Sequence, residues 1–227
     1  MTDQSRKEVN MSLETFNNLL EGKKNLIISN GIEVFSKESF TDASTDLITQ
    51  KAGISKGLLF HYFGSKKNFY LYLLEYSLKL FSEPNMSYNT KEGDNFYDIL
   101  FKTTDRKLKI ETKYHNEMLF INLASKEASK HVVEEKTVLI RKYMAEVQKN
   151  SALTINEAIS TLSLRADVDK AKLVQGLSMY INTIILQYLQ IYRERPEEFF
   201  ENSNNIKSEI KDYIDLMLHG VEENNND

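Results

Sequence analysis

At 227 residues the chain is longer than one typical domain and short for two large ones. It has no cysteine, which excludes disulfides, zinc–thiolate sites and cysteine nucleophiles, and only two prolines and eight glycines, which leaves room for long helices. The N-terminus is polar and no apolar run reaches the ~18–20 residues that cross a bilayer, so a soluble, cytoplasmic protein without membrane association is expected.

The formal charge of -4 disfavours a nucleic-acid partner at first sight. Its distribution changes that reading. Residues 1–80 carry ten basic against nine acidic side chains, and the remainder nineteen against twenty-four. Between Leu47 and Leu74 stand Lys51, Lys56, Lys66 and Lys67 and no acid. A basic face on a nearly neutral head suits DNA, with binding that weakens with salt as phosphates are neutralised.

In chain order, residues 1–14 read as a frayed polar arm, with Phe16 and Leu19 packing ahead of a first helix over Gly22–Ser36. Leu26, Ile27, Gly31, Val34 and Phe35 follow helical spacing there. A second helix spans Thr45–Ala52. Ser44 is its N-cap, Leu47, Ile48 and Ala52 its buried stripe, and Gly53 supplies the positive φ that ends it. Ile54 fills the corner and Ser55 caps a third helix, Lys56–Phe63. Leu59 and Phe63, four apart, face inward with Phe60 beside them, leaving Lys56, Gly57, Leu58, His61 and Tyr62 directed largely outward. An exposed helix with a small residue near its start and flanking cations suits a major groove.

A fourth helix over Lys66–Phe81, rich in Phe69, Tyr70, Leu73, Leu74 and Leu78, connects head to body. Pro84 and nearby turn formers mark a loop over 82–93. Further helices are expected over Asn95–Ile110, Lys113–Ser125, Glu127–Asn150, Leu153–Leu164, Asp169–Arg193 and Asn205–Gly220. Pro196 ends the helix before it, and the tail from Glu222 is acidic, Asn-rich and mobile. With no strand series or repeat in view, the expectation is an all-α chain of about nine helices. It divides into a three-helix DNA-binding head with a helix-turn-helix at 1–65, a connecting helix at 66–81, and a larger helical ligand-binding and dimerisation body at 82–227.

The run Ala52-Gly53-Ile54-Ser55-Lys56-Gly57, followed by Phe60-His61-Tyr62-Phe63-x-Ser65-Lys66, resembles the turn, recognition helix and start of helix four in the TetR family of transcriptional regulators. The resemblance reaches back through Lys23–Ile27, Gly31–Phe35, Phe40 and Ala43, about the first third of the chain. Beyond roughly residue 80 only a helical architecture is shared. It implies that Ser44, Thr45, Lys56, Gly57, Leu58, Phe60, His61, Tyr62 and Lys66 meet double-stranded operator DNA. Gly57 lets the helix approach the groove, and Lys56 reaches guanine or phosphate. Tyr62 and Lys66 suit phosphate, which positions rather than specifies, and His61 suits either. Ser44 and Thr45 stand at a helix N-terminus, where hydroxyls and free N–H groups hold a phosphate. Leu58 stands where the family often has threonine or serine, so a thymine methyl contact replaces a hydrogen bond. Asp46 favours the helix dipole and repels a nearby phosphate, and Thr49 replaces the usual small alanine between the crossing helices.

The resemblance further implies a homodimer in which the last two long helices pair with their symmetry mates. Leu177, Ile181, Ile184, Tyr188, Ile210, Tyr213, Ile214 and Met217 are its candidates, on an apolar surface broader than one face needs. Two-fold symmetry then sets the recognition helices ~34–36 Å apart over a near-palindromic site. Burial within the chain competes with this assignment. Effector candidates are the polar and aromatic residues of the middle helices: Tyr114, His115, Met118, Phe120, Asn122, Tyr143, Asn182 and Gln187. An apolar cavity with a few convergent polar groups fits a small, mostly apolar effector, against which stands an ordinary core or surface role for each residue.

No catalytic residue, cofactor or metal is implied. Glu111 with His115, Glu127 with His131, and His131 with Glu135 are four apart, a spacing that surface pairs explain. The sequence has no HExxH and no Glu-x-x-His of di-iron bundles. The functional reading is a ligand-responsive homodimeric regulator, a repressor released from its operator by a small-molecule effector. A ligand-binding scaffold without an operator, a metal-dependent helical enzyme, and an activator or nucleoid-type DNA binder are the alternatives.

Overall fold

The computed structural model describes residues 13–82, 90–191, 195, 198 and 202–220. The regular elements among them are helices: α1 Glu21–Phe35, α2 Thr45–Ala52, α3 Lys56–Phe63, α4 Lys66–Ser82, α5 Phe96–Lys113, α6 His115–Lys126, α7 Val133–Ser160, α8 Lys170–Ile191 and α9 Ser203–His219. A short helical stretch at 13–17 precedes them. The fold is all-α. The arm before residue 13, the turn at Pro84, the stop at Pro196 and the tail from Glu222 lie outside the described residues. No helix among the described residues is long and apolar enough to cross a membrane.

Local chemistry sets the ends of α2 and α3. Ser44 Oγ accepts from the Leu47 N–H at 3.3 Å and Ser55 Oγ from the Leu58 N–H at 3.1 Å, each satisfying one of the free donors of a first turn. Gly53, at φ 65°, ends α2, and Gly64, at φ 73°, ends α3; both conformations are open to glycine at little steric cost. One expected boundary is absent: α7 runs unbroken through 150–153, where two helices were expected. No proline or glycine interrupts it, and the Thr154 hydroxyl donates back to the Asn150 carbonyl at 3.2 Å within the helix. The same helix starts late, because the Glu127 carboxylate accepts from the Phe40 and Ser129 N–H groups and holds 127–132 in a turn.

Packing divides the chain into two compact units, Met1–Glu83 with Lys113–Glu146, and Pro84–Thr112 with Val147–Asp227. In this grouping α6 and the first half of α7 fall in one unit with α1 to α4. In the first unit α1 packs against α2, α4 and α6. Phe120 of α6 stacks on Phe35 at 5.7 Å and meets Tyr70 edge-on at 5.1 Å. Lys136 of α7, 5% exposed, donates to the Ala124 and Ser125 carbonyls and so closes the end of α6. Gly31 lets α1 and α4 approach closely: a Cβ there would lie 2.6 Å from Leu73 Cδ1 and 2.7 Å from Phe69 Cζ. Leu26 and Leu47, expected inward, are exposed; the buried faces are Ile27, Ile28, Gly31, Ile32, Val34 and Phe35 on α1 and Ile48, Thr49 and Ala52 on α2.

The second unit is built on Phe96, Ile99 and Leu100 of α5, Ile155, Ala158 and Ile159 of α7, and apolar faces of α8 and α9. Ile206, Ile210 and Ile214, four apart, form the buried stripe of α9. Polar pairs rim this core: Lys207 bridges to Asp105 at 2.6 Å, and the Tyr97 hydroxyl donates to Asp215.

Candidate nucleic-acid interface

Three side chains fix the orientation of α3. Leu59, Phe63 and Tyr62 are 0, 1 and 4% exposed, which turns Lys56, Gly57 and His61 to solvent and leaves Leu58 and Phe60 half-buried. Tyr62, expected outward, is therefore a packing residue. Phe16 from the arm ahead of α1 meets its ring edge-on at 5.5 Å and that of Phe63 at 4.8 Å. Phe16 is itself 0% exposed, so the arm forms a buried clasp behind the helix. Gly57 has ordinary helical backbone, and a Cβ there would meet only Ser55 Oγ at 3.9 Å. Among the described residues nothing calls for glycine at 57, and its missing side chain leaves room for close approach from outside.

The basic stretch is less free than the sequence implies. Lys56 Nζ lies 2.9 Å from Asp46, so the acid at the start of α2 holds the first lysine of α3. Lys51 bridges to Glu33 at 2.8 Å and Lys67 to Glu135 at 2.5 Å. Hydrogen bonds from Lys51 and Lys37 pull the Glu33 carboxyl down to about 2. Lys66 donates to the Thr41 carbonyl at 3.2 Å and lies 5.0 Å over the Phe40 ring, and burial holds its ammonium below the usual lysine range. These pairs are solvent-exposed and individually weak. A phosphate that displaces a carboxylate from Lys56 exchanges one ionic partner for another. Ser44 is exposed and Thr45 half-exposed at the start of α2, with the Ser44 hydroxyl already capping the helix.

Residues 27–73, from α1 into α4, match the family model of bacterial regulatory proteins, tetR family. The chain has a TetR-family regulator fold. No curated protein sequence matches it. Among solved structures, a TetR-family transcriptional regulator from Chloroflexus aurantiacus J-10-fl superposes with a TM-score of 0.61 at 21% identity, covering 91% of this chain and 96% of that one. FadR from Bacillus subtilis, in complex with stearoyl-CoA, gives 0.61 at 16% identity over 87% and 98%. Reduced Escherichia coli NemR gives 0.54 at 18% over 84% and 96%. At such identities the likeness carries the fold alone.

Of the DNA-contact candidates, Lys56 lies against the start of α2 through Asp46, Lys66 is held at Thr41, and Tyr62 is buried. The effector candidates are not brought together. Phe120 is core, the Tyr143 hydroxyl donates to Glu75 at 2.8 Å, and Tyr114, His115 and Met118 are half-buried around the start of α6. Asn122 and Gln187 are exposed, and only Asn182 lines a hollow. Of the dimer candidates, Leu177, Ile181, Ile184, Ile210 and Ile214 are covered by their own unit, whose α8 and α9 pack on each other. Tyr188 is half-buried with its hydroxyl donating to Glu209, while Tyr213 and Met217 are exposed. The helical spacing located an apolar face correctly and could not say what covers it.

The carboxylate–histidine pairs have other partners. Glu127 is taken by backbone N–H groups and Glu135 by Lys67. Among the described residues no group of three or more His, Asp or Glu is placed to hold a metal ion. Glu111, instead, is half-buried in the second unit, with one carboxyl oxygen that has no hydrogen-bond partner among the described residues. Burial pushes this acid up to about 7, against the pull of Lys107 one turn away. A carboxyl whose folded pKa lies above its unfolded value costs stability as pH rises from about 4.5 to about 7, and no more beyond that. Glu111→Gln is therefore expected to melt above the wild type at pH 8, with the gap closing by pH 4.5. Equal melting temperatures at both pH values would place Glu111 in water.

Proposed function

We propose that this chain is a homodimeric, ligand-responsive transcriptional regulator, a repressor that a small molecule releases from a near-palindromic operator. The observation that carries the reading is α3: capped at both ends, pinned by Leu59, Tyr62 and Phe63, and presenting Lys56, Gly57, Leu58 and His61. Lys56 and His61 suit guanine edges or phosphate, Leu58 a thymine methyl, and Gly57 close approach to the groove. Ser44, Thr45 and Lys66 serve as backbone anchors. Exposed Tyr213, Leu216 and Met217 on α9 support a dimer face narrower than the spacing implied. Release follows if the effector binds more tightly to a state whose heads no longer match the operator spacing.

The test is titration of the purified protein onto DNA from its own upstream region, beside scrambled DNA, at two salt concentrations. Selective, salt-sensitive binding with a two-fold footprint is the expected result; equal weak binding to both DNAs would remove the reading. Lys56→Ala is expected to weaken selective binding about tenfold, since a good base contact is worth about 1–3 kcal/mol. Gly57→Gln is expected to weaken it at least as much while the melting temperature stays level or rises, because glycine is a poor helix residue. Undiminished binding in both variants would overturn the assignment of α3 as the recognition helix.

A further inference from the structure

In the second unit, Thr103, Lys107 and Glu111 stand four apart on α5 and so form a polar row along one face. Thr103 is 4% exposed and its Oγ1 has no hydrogen-bond partner among the described residues. Lys107 donates to Ser151 Oγ of α7 at 3.1 Å, although an ammonium carries three donors. Burial raises the pKa of its neighbour Glu111 and lowers that of Lys107 itself, so the two make a weak pair. Buried polar groups are ordinarily satisfied. An unpartnered hydroxyl beside a half-buried ammonium suits an acceptor from outside the chain.

Thr103, Lys107 and Ser151 line a hollow of about 30 Å³ whose apolar wall is Leu100, Ile155 and Ile181. Asn182 lines this hollow and also a wider cleft of about 360 Å³ between α7 and α8, where Ala152, Val174 and Met179 supply apolar surface. We propose that the second unit binds a small organic acid, its carboxylate on Lys107 and Thr103 in the inner hollow and its apolar body in the wider cleft beyond Asn182. The proposal rests on the reading of the chain as a ligand-responsive regulator and names its effector class. A carboxylate accepts from the Thr103 hydroxyl and the Lys107 ammonium at once, the second bond charge-assisted. One lysine and so narrow a hollow suit a flat, singly charged head better than a doubly charged phosphate. An amine would meet the Lys107 ammonium, since Glu111 does not line the hollow.

The experiment titrates the full chain, without DNA, with octanoate, 4-phenylbutyrate and benzoate, each beside its amide and its amine. Binding is read from methyl-labelled methionine spectra, with Met179 as reporter, and from the shift in melting temperature. At least one acid is expected to bind, with its amide and amine at least tenfold weaker. Lys107→Met is expected to weaken that acid at least tenfold, and the near-isosteric Thr103→Val severalfold. Silence from all three acids, an amine that matches its acid, or full affinity in both variants overturns the proposal. Operator release is measured separately. An acid that binds here and leaves DNA bound upholds the site and removes the ligand-responsive reading. Release by a non-acid with no perturbation of Met179 overturns the site and upholds that reading.

Discussion

Phe16→Ala is expected to destabilise the first unit by about 3–5 kcal/mol, the usual cost of emptying a buried aromatic site. The ring is 0% exposed and lies 4.8 Å from Phe63, 5.5 Å from Tyr62 and 5.6 Å from Tyr72. Its loss removes the backing of α3 and of the first turns of α4 together. The expected signature is a drop in urea midpoint with a parallel loss of hydrogen-exchange protection in α3, and operator affinity falls with the population of ordered heads. Phe16→Leu retains most of the apolar volume and should recover more than half of the stability. Wild-type stability in the alanine variant would show that the segment ahead of α1 contributes nothing to the recognition helix. The result matters because Phe16 precedes the region 27–73 that matches the family model.

Gly31→Val carries the second large effect, about 3 kcal/mol of destabilisation, at the upper end of ordinary overpacking. Even a methyl group there would lie 2.6 Å from Leu73 Cδ1 and 2.7 Å from Phe69 Cζ. Neither neighbour can retreat, since Phe69 and Leu73 are each 0% exposed in a packed core. The β-branch adds bulk at the point where α1 and α4 meet, so the helices must separate. Gly22→Val is the control: a Cβ there has no neighbour within 4 Å, and its change should stay within about 1 kcal/mol, the scale of helix propensity. Urea unfolding of both variants, followed by circular dichroism, separates the clash from propensity. Equal small losses in the two would mean that α1 and α4 do not approach closely at Gly31.

The helix-turn-helix was legible in the sequence because its signals are local. Ser44 and Ser55 bond N–H groups three residues on, and Gly53 takes positive φ within its own turn; such interactions survive in any context. Periodicity likewise identified α4, α8 and α9 and their apolar faces. The merged α7 was missed because Asn150 and Ser151 resemble a turn, whereas Ser151 is buried and accepts from Lys107.

The all-α architecture, the caps and turn of the helix-turn-helix, and the residues at the start of α3 follow from local sequence signals. Which of the head's charges are free depends on packing between elements. The acid-free run from Leu47 to Leu74 meets Glu33, Asp46 and Glu135 from other elements, and Tyr62 is turned inward by Phe16. The same holds in the second unit, where Lys107 and Thr103 acquire meaning only when α7 brings Ser151 against them. Spacing along a chain determines which side chains share a face, whereas the partner opposite that face comes from residues tens of positions away, which no local period encodes.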